Sequence, residues 1–466
     1  MKKKIIYIAF AVLIIGGIGI YLFLGNTKDK SNTKTNTTTK EVSLSDDVDW
    51  SSYNIYNIVL SNESVTIDSE GVYYISGSLT DNQILVNTSD NVKLVLNNVT
   101  IKNSKGAAIY VESAKNTYIE LVGENTLEGT VTEDIDAVIY SKDDLFLEGD
   151  GTLNITSNID GIKSSDDLTI YSGTYNITSS DEGIQGKDSV TIIDGTFNIT
   201  SSGDAIKTTN ETEKGIITIK NGTFNIITSK DGITSSSEIY IDGGDFTIKT
   251  GSGAKQTVKT GDFGMNTTNS DTESMKAIKS VGNIYINGGT FSINSEDDSI
   301  HSNGDINISG GTFTLSSSTD GVHADGLLEI NGGTFNITSA EGLEATYVKI
   351  NGGDVTINAS DDGINAANKS TNYSVKVEIN DGNITIKMGQ GDTDGIDSNG
   401  DLYINGGTIN ITGNSPFDYD DTAKYSGGTM IVNGTETTEI TNQMMGGGQM
   451  NPGQGGQPNG QNRTRR

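Results

Sequence analysis

One unit recurs through most of the chain and limits what it can fold into. The stretch Ser179–Thr200, SSDEGIQGKDSVTIIDGTFNIT, returns in edited form about every 22 residues. Its Gly-Thr-Phe-like triplet begins at Gly151, Gly173, Gly195, Gly222, Gly244, Gly289, Gly311, Gly333, Gly353, Gly382, Gly407 and Gly428, and the unmodified spacing is 22. A second, Asp-Gly-Ile-like series begins at Asp160, Glu182, Asp204, Asp231, Lys276, Asp298, Asp320, Glu341, Asp362 and Asp394, normally nine residues after the first.

A fixed period of this length marks a solenoid. Within the period, Leu168-Thr-Ile170, Tyr175-Asn-Ile177 and Val190-Thr-Ile192 place apolar residues at every second position, separated by Gly, Asp, Asn and Ser. That alternation predicts about three short strands per period, joined by tight turns, and no helix-length apolar stripe competes with it. Such strands bury a face only by stacking on the next coil, with parallel neighbours about 4.8 Å apart. The expected fold is all-β, a parallel β-helix. Only three prolines and as many as 58 glycines suit a ladder that uses every backbone N–H and turns at positive φ.

The flanks read differently. Met1-Lys-Lys-Lys4 precedes Ile5–Leu24, twenty residues without a charge, long enough to span a bilayer with the basic end inside. Residues 1–25 are therefore expected to be a membrane anchor or signal segment. With no Ala-x-Ala-like cleavage site following, an uncleaved N-terminal transmembrane helix is preferred. Residues 26–41, rich in Ser, Thr, Asn and Lys, read as a flexible linker. Residues 42–434 read as one β-helix domain, with irregular capping coils from Trp50 to about Gly129, and residues 435–466 as a disordered Gly/Gln/Met-rich tail. The body is expected at the extracellular face of the cell membrane, as a monomer.

Net charge is −30, and Arg463, Arg465 and Arg466 are the only arginines. Such a surface repels nucleic acid and draws cations. The absence of cysteine excludes disulfides, thiolate metal sites and a cysteine nucleophile.

Three features bear on chemistry. The series Tyr175, Phe197, Phe224, Phe246, Phe291, Phe313 and Phe335 stands two residues before an isoleucine or leucine. It therefore reads as an inward stacked ladder and not as a sugar platform. The Asn-Ile-Thr triplets beside it put polar residues outward. In the Asp-Gly-Ile series, nine of ten first positions hold a carboxylate, the tenth is Lys276, and none is Asn in a chain full of Asn. Turn chemistry alone would accept Asn. Ionised carboxylates about 5 Å apart repel by about 3 kcal/mol at an effective dielectric near 20. The column therefore calls for cations: Ca²⁺ as a hard ion for oxygen ligands, or an ammonium such as that of Lys276. Turn chemistry remains the other reading.

The third feature is the residue three after the column: Lys163, Gln185, Lys207, Thr234, Lys279, His301, His323, Glu344, Asn365 and Asp397, including both histidines of the chain. Each follows an inward isoleucine or its equivalent and is expected to point outward. Insertions at Thr208–Lys214 and Ala366–Asn372 lengthen the turn after this strand, and those at Gly251–Glu273 and Gly389–Asp392 the turn before it. Loops on both sides suggest a groove for a linear polymer, with a plain solvated face as the alternative.

The 22-residue coils, the membrane-proximal linker and the Gly/Gln/Met-rich tail together resemble the bacterial surface family of cellulose- and acid-sugar-binding proteins with a polysaccharide-lyase-like β-helix. The resemblance covers roughly Trp50 to Asn433. It implies a right-handed parallel β-helix, Ca²⁺ along the coils, and binding of cellulose and polygalacturonate-type pectin. Carried onto this chain, the metal ligands would be Asp160, Asp181, Asp204, Asp231, Asp297, Asp298, Asp320, Asp361, Asp362 and Asp394, with Lys276 as a departure.

The leading expectation is a carbohydrate-binding protein that holds polysaccharide along a calcium-loaded β-helix, with Lys163, Lys207, Lys279, His301 and His323 on the glycan side. A calcium-dependent pectate lyase is the enzymatic alternative, with Lys279 as base and His301 and His323 next. A hydrolase using Asp297 with Asp298, or an adhesin without glycan specificity, follows. Catalysis needs one exceptional coil, whereas near-equivalent coils form an extended binding surface.

Overall fold

A computed structural model describes residues 48–212, 214–255, 273–389 and 393–442. The hydrophobic segment 5–24, the linker 26–41 and the tail beyond residue 442 lie outside the described residues. The chain divides into two units, Met1–Asp49 and Trp50–Arg466, and the second carries everything below. Among the described residues there are 43 strands and a single 3₁₀ turn, Trp50–Ser52, and no helix is long and apolar enough to cross a membrane.

Each regular coil contributes three strands. Thr174–Ser179, Ile184–Gly186 and Ser189–Ile192 pair in parallel with Thr196–Ser201, Ile206–Thr208 and Ile216–Ile219 of the next coil. The same offset repeats through the unit, which makes it a parallel β-helix. The three classes are called here the Phe strands, the Asp strands and the third strands. Register matches like with like: Phe197 opposes Tyr175 on one side and Phe224 on the other. Because the pleat turns every second residue inward, the aromatic rings stack inside the coil. Ring centroids are 4.9 Å apart for Phe197 and Phe224, 4.7 Å for Phe246 and Phe291, and 4.4 Å for Phe313 and Phe335, with planes within 7°. Each buried ring contributes roughly 1.5–3 kcal/mol through burial and about 0.5–1.5 kcal/mol through each stacking contact.

The glycine before each Phe strand is required by geometry. Gly195 sits at φ 139°, and a Cβ there would lie 3.1 Å from the Gly173 carbonyl oxygen. Outward asparagines tie the coils together. Asn351, Asn380 and Asn405 each donate Nδ2 to the Oδ1 of the asparagine one coil back, at 2.8, 2.9 and 2.9 Å.

At the N-terminal end Trp50 packs edge-on against Tyr118, with the Lys93 ammonium 5.9 Å from its ring centroid. At the other end Thr435–Thr437 returns antiparallel on Thr429–Val432. Strand structure thus continues past Gly434, the limit read from the repeat. That hairpin pairs an edge otherwise open to association. The insertion after Thr250 does not wall the Asp strands over its described part. It crosses the ends of the next Phe strands, with the Ala254 N–H donating to Asn294 Oδ1 at 2.7 Å and the Lys255 N–H to Ser318 Oγ at 2.8 Å.

Candidate functional site

The column carboxylates stand at the corner where each Phe strand turns into an Asp strand, and their two oxygens do different things. One oxygen, Oδ1, accepts the backbone N–H of the column residue one coil on. Asp160 accepts from Glu182 at 3.0 Å, Asp204 from Asp231 at 3.0 Å, Asp231 from Lys276 at 2.8 Å, Asp298 from Asp320 at 3.1 Å, and Asp362 from Asp394 at 3.0 Å. An asparagine could do as much. The other oxygen meets a lysine or histidine nitrogen. Lys163 lies 3.6 Å from Asp160 Oδ2, Lys207 3.0 Å from Asp204, Lys279 3.1 Å from Asp231, His301 2.8 Å from Asp298, and His323 2.8 Å from Asp320. Only this second contact requires a negative charge, and it accounts for the acids in the column.

The column and the row three residues later, separate in sequence, are therefore one ladder of alternating charge. The row alternates with inward, buried neighbours, but it is not an open face. Gln185, His323, Glu344 and Asn365 are buried, and Lys163, Lys207, Lys279 and His301 are half-buried in ion pairs. The chain turns at the column residue, so strand alternation does not reach back to it, and both side chains come to lie on the same edge.

Pairing continues between coils. Lys163 reaches Asp136 at 2.5 Å, and Lys207 reaches Glu182 at 2.7 Å. Lys276 bridges Asp297 and Asp298, as an ammonium within the column should. His323 touches Asp320 and also Glu344 at 2.7 Å. Burial alone would lower its pKa, but the hydrogen bonds it donates to these two carboxylates push it up to about 10. An imidazolium has no lone pair for a metal or a proton. Lys279 lies 3.1 Å from Asp231 Oδ2, and His301 is held between Asp298 and, at 2.9 Å, Asn303.

Sequence reasoning missed two members. Asp136 precedes the regular period, and Lys369 comes from the Ala366–Asn372 insertion to meet Glu344 at 2.7 Å. A basic residue in a loop directly after the row was the available signal for the second.

The ladder breaks toward the C-terminal coils. Three residues after Asp362 stands Asn365, and three after Asp394 stands Asp397. Asn365 turns its Nδ2 to Glu341 at 2.9 Å and toward Glu344 at 3.4 Å. Its Oδ1, with Thr393 Oγ1 and Asp418 Oδ1, is buried without a hydrogen-bond partner. Burial, reinforced by Asp361, Asp397 and Glu341, pushes Asp362 up to about 8. Burial with Asp394, Asp418, Asp420 and Glu341 brings Asp397 to about 7. Asn365 opposes Asp397, and Asp397 opposes Asp418, on successive coils, an all-oxygen run whose ligand type suits a hard divalent cation such as Ca²⁺.

A second all-oxygen group joins Asp160, Asp181 and Glu182, whose ligand atoms lie within 4.8 Å of one another. There burial and Glu182 push Asp160 up to about 8. Of the column acids between these groups, Asp204, Asp231, Asp298 and Asp320, with Asp297 beside them, each have a side-chain cation within 3.2 Å.

Comparison with known proteins agrees with a carbohydrate-binding role. A family model described as carbohydrate-binding domain-containing protein matches residues 61–321 and 315–445. A carbohydrate-binding domain-containing protein of Acetivibrio thermocellus is 36% identical over 130 residues, 25% of this chain and 46% of the relative. The chain thus spans less than half the length of that curated relative. A solved structure, a polysaccharide lyase-like protein from C. thermocellum as a gadolinium derivative, shares 32% identity. It covers 42% of this chain and 90% of its own, with a TM-score of 0.39. With the family model matched from residue 61 to residue 445, the chain belongs to the carbohydrate-binding domain-containing proteins.

Proposed function

We propose that this protein holds acidic polysaccharide, of the polygalacturonate kind, on its Asp edge through Ca²⁺ carried by the coils from Glu341 to Asp420. The observation that carries this reading is the break in the charge ladder. Upstream, Lys163, Lys207, Lys279 and His323 stand against column acids, whereas three residues after Asp362 the matching position holds the neutral Asn365. Asp361, Asp362, Asp394 and Asp397 would hold the ion, with Asn365 Oδ1 as a neutral donor. Asp160, Asp181 and Glu182, whose ligand atoms lie together, offer a second place, where calcium would compete with Lys163 and Lys207. Bound calcium would present open coordination positions to the carboxylates of a uronate chain, which an anionic protein otherwise repels. The uncharged run 5–24 supports placing this surface outside the cell, tethered to the membrane.

The test is co-sedimentation of the full chain with polygalacturonate, with and without calcium, while ultraviolet absorbance of unsaturated product is followed. Calcium-dependent retention with flat absorbance is expected. Equal retention in chelator would remove calcium from the reading, and rising absorbance would return the Lys279 coil to catalysis.

A further inference from the structure

The chain leaves the described structure beside the break in the ladder. Asn442, the last described residue, donates Nδ2 to the Tyr419 carbonyl oxygen at 2.7 Å. Tyr419 stands between Asp418 and Asp420, and Asp418 opposes Asp397, which opposes Asn365 one coil earlier. From there the sequence continues through Gln443–Arg466, and its only charged side chains are Arg463, Arg465 and Arg466, the only arginines of the chain.

The edge at which the tail departs is rich in acceptors. Asn365 is 8% exposed, and its Oδ1 has no hydrogen-bond partner, nor has Oδ1 of Asp418. The named electrostatic neighbours of Asp397 are all carboxylates: Asp394, Asp418, Asp420 and Glu341. Lys369, of the Ala366–Asn372 insertion, is engaged by Glu344 at 2.7 Å. A guanidinium carries five N–H donors in a planar fork, no acceptor and a permanent charge. It therefore complements an orphaned amide oxygen and crowded carboxylates at once.

The length of the tail permits the meeting. Twenty residues separate Asn442 from Arg463, and a Gly-rich chain of that length has an end-to-end distance of about 25 Å. From Asn365 to Asp418 is two coil steps, about 10 Å. A tether of this reach holds the arginines at an effective concentration roughly in the millimolar range.

We infer that the arginines of this chain's own tail dock on the Asp397–Asp418 edge and compete there with the divalent cation, so that the tail restrains the site it follows. The competition rests on the calcium reading; the docking does not. Three guanidiniums face the carboxylates of Asp361, Asp362, Asp394, Asp397, Asp418 and Asp420, so the edge stays negative with the tail in place. A doubly charged ion at higher concentration would displace the tail.

The test uses the full chain at pH 8 and low salt. Arg463→Gln with Arg465→Gln and Arg466→Gln removes the tail charges, and Lys28→Gln with Lys30→Gln and Lys34→Gln removes three positive charges from the segment 26–41 as a control. In chelator the arginine variant is expected to melt a few degrees below wild type, and the lysine variant together with wild type. In an Asp397→Asn, Asp418→Asn background the arginine substitutions should change nothing, because their partners are gone; Asp397→Asn alone serves if the double background fails to fold. Calcium titration of the melting temperature should reach its midpoint at a concentration at least threefold lower for the arginine variant than for wild type. Equal melting of the arginine variant and wild type in chelator overturns the docking, as does an equal drop in the lysine variant, which would trace the effect to net charge. A drop that persists in the Asn background, or one that vanishes on dilution and so belongs to a second copy, overturns it as well. An unchanged calcium midpoint beside a drop in chelator overturns the competition and leaves the docking. If calcium raises the melting temperature of no variant, the calcium reading fails, and the drop in chelator by itself decides the docking.

Discussion

Asp231 and Asp362 hold the same place in the repeat, and one substitution should affect them in opposite directions. Both give one oxygen to a backbone N–H of the next coil, at 2.8 and 3.0 Å, and asparagine preserves that contact. At Asp231 the other oxygen faces the Lys279 ammonium at 3.1 Å. Asp231→Asn turns an amide donor toward a half-buried cation and is expected to cost about 3 kcal/mol, in the range for a broken buried pair. At Asp362 the named electrostatic neighbours are carboxylates, so Asp362→Asn in chelator is expected to stabilise, by on the order of 1–2 kcal/mol. Urea unfolding of both variants in chelator at pH 8 checks the pair, and a shared sign would refute the division of the column into compensated and uncompensated parts.

The raised carboxylates also set a pH dependence. A carboxyl whose folded pKa lies above its unfolded value binds its proton more tightly when folded, so its penalty is absent below the unfolded pKa and grows as pH rises toward the folded one. For Asp362 and Asp397, raised from 3.8 to about 8 and about 7, the window is from about pH 4 to pH 8. In chelator the melting temperature should fall across that window, and Asp362→Asn with Asp397→Asn should flatten the fall. That the column selects charge was legible in the sequence, because Asn was absent where turns would allow it. That the cation stands three residues away was not, since the corner at each column residue breaks the alternation from which side-chain direction was read.

At the level of strands, the repeat specifies nearly everything. Like residues align coil on coil because a one-residue slip would turn every isoleucine outward. Phe291 lies between Phe246 and Phe313, at 4.7 Å from each, and is 1% exposed. Phe291→Ala is expected to cost about 3–5 kcal/mol, the range for losing a buried aromatic and leaving a cavity. Phe291→Leu should cost clearly less. Equilibrium unfolding measures both, and equal effects would mean that the burial a leucine retains contributes nothing and that ring stacking accounts for the whole loss. The insertions were legible as loops but their courses were not. The Gly251 loop was expected beside the Asp strands, yet in its described part Ser252 and Lys255 bind Glu296 and Gly251–Lys255 crosses the ends of the Phe strands. Spacing reports where a loop leaves a coil, whereas its landing place depends on polar partners 40 or more residues away.

Over the whole molecule, the balance of charge makes the proposed calcium site on the Asp edge responsive to the ions around it. The Asp edge acts through contacts between charges, partly exposed and therefore screened: the Debye length falls from about 10 Å at 0.1 M salt to about 3 Å at 1 M. Raising sodium chloride from 0.1 to about 0.5 M should weaken calcium-dependent retention on polygalacturonate severalfold. Magnesium should not replace calcium at the Asp edge. It holds its waters and requires near-ideal octahedral geometry, while calcium accepts six to eight oxygens in looser arrangement, and the oxygens from Asn365, Asp362 and Asp397 come from a backbone fixed by coil stacking. Calcium at a hundredfold excess over its dissociation constant would add about 2.7 kcal/mol to folding, seen as a rise of a few degrees in the melting temperature at pH 8, with little rise for magnesium. Equal rises for both ions would mean that general screening of a −30 chain stabilises the fold, and the uncompensated coils would then lose their claim to a specific cation.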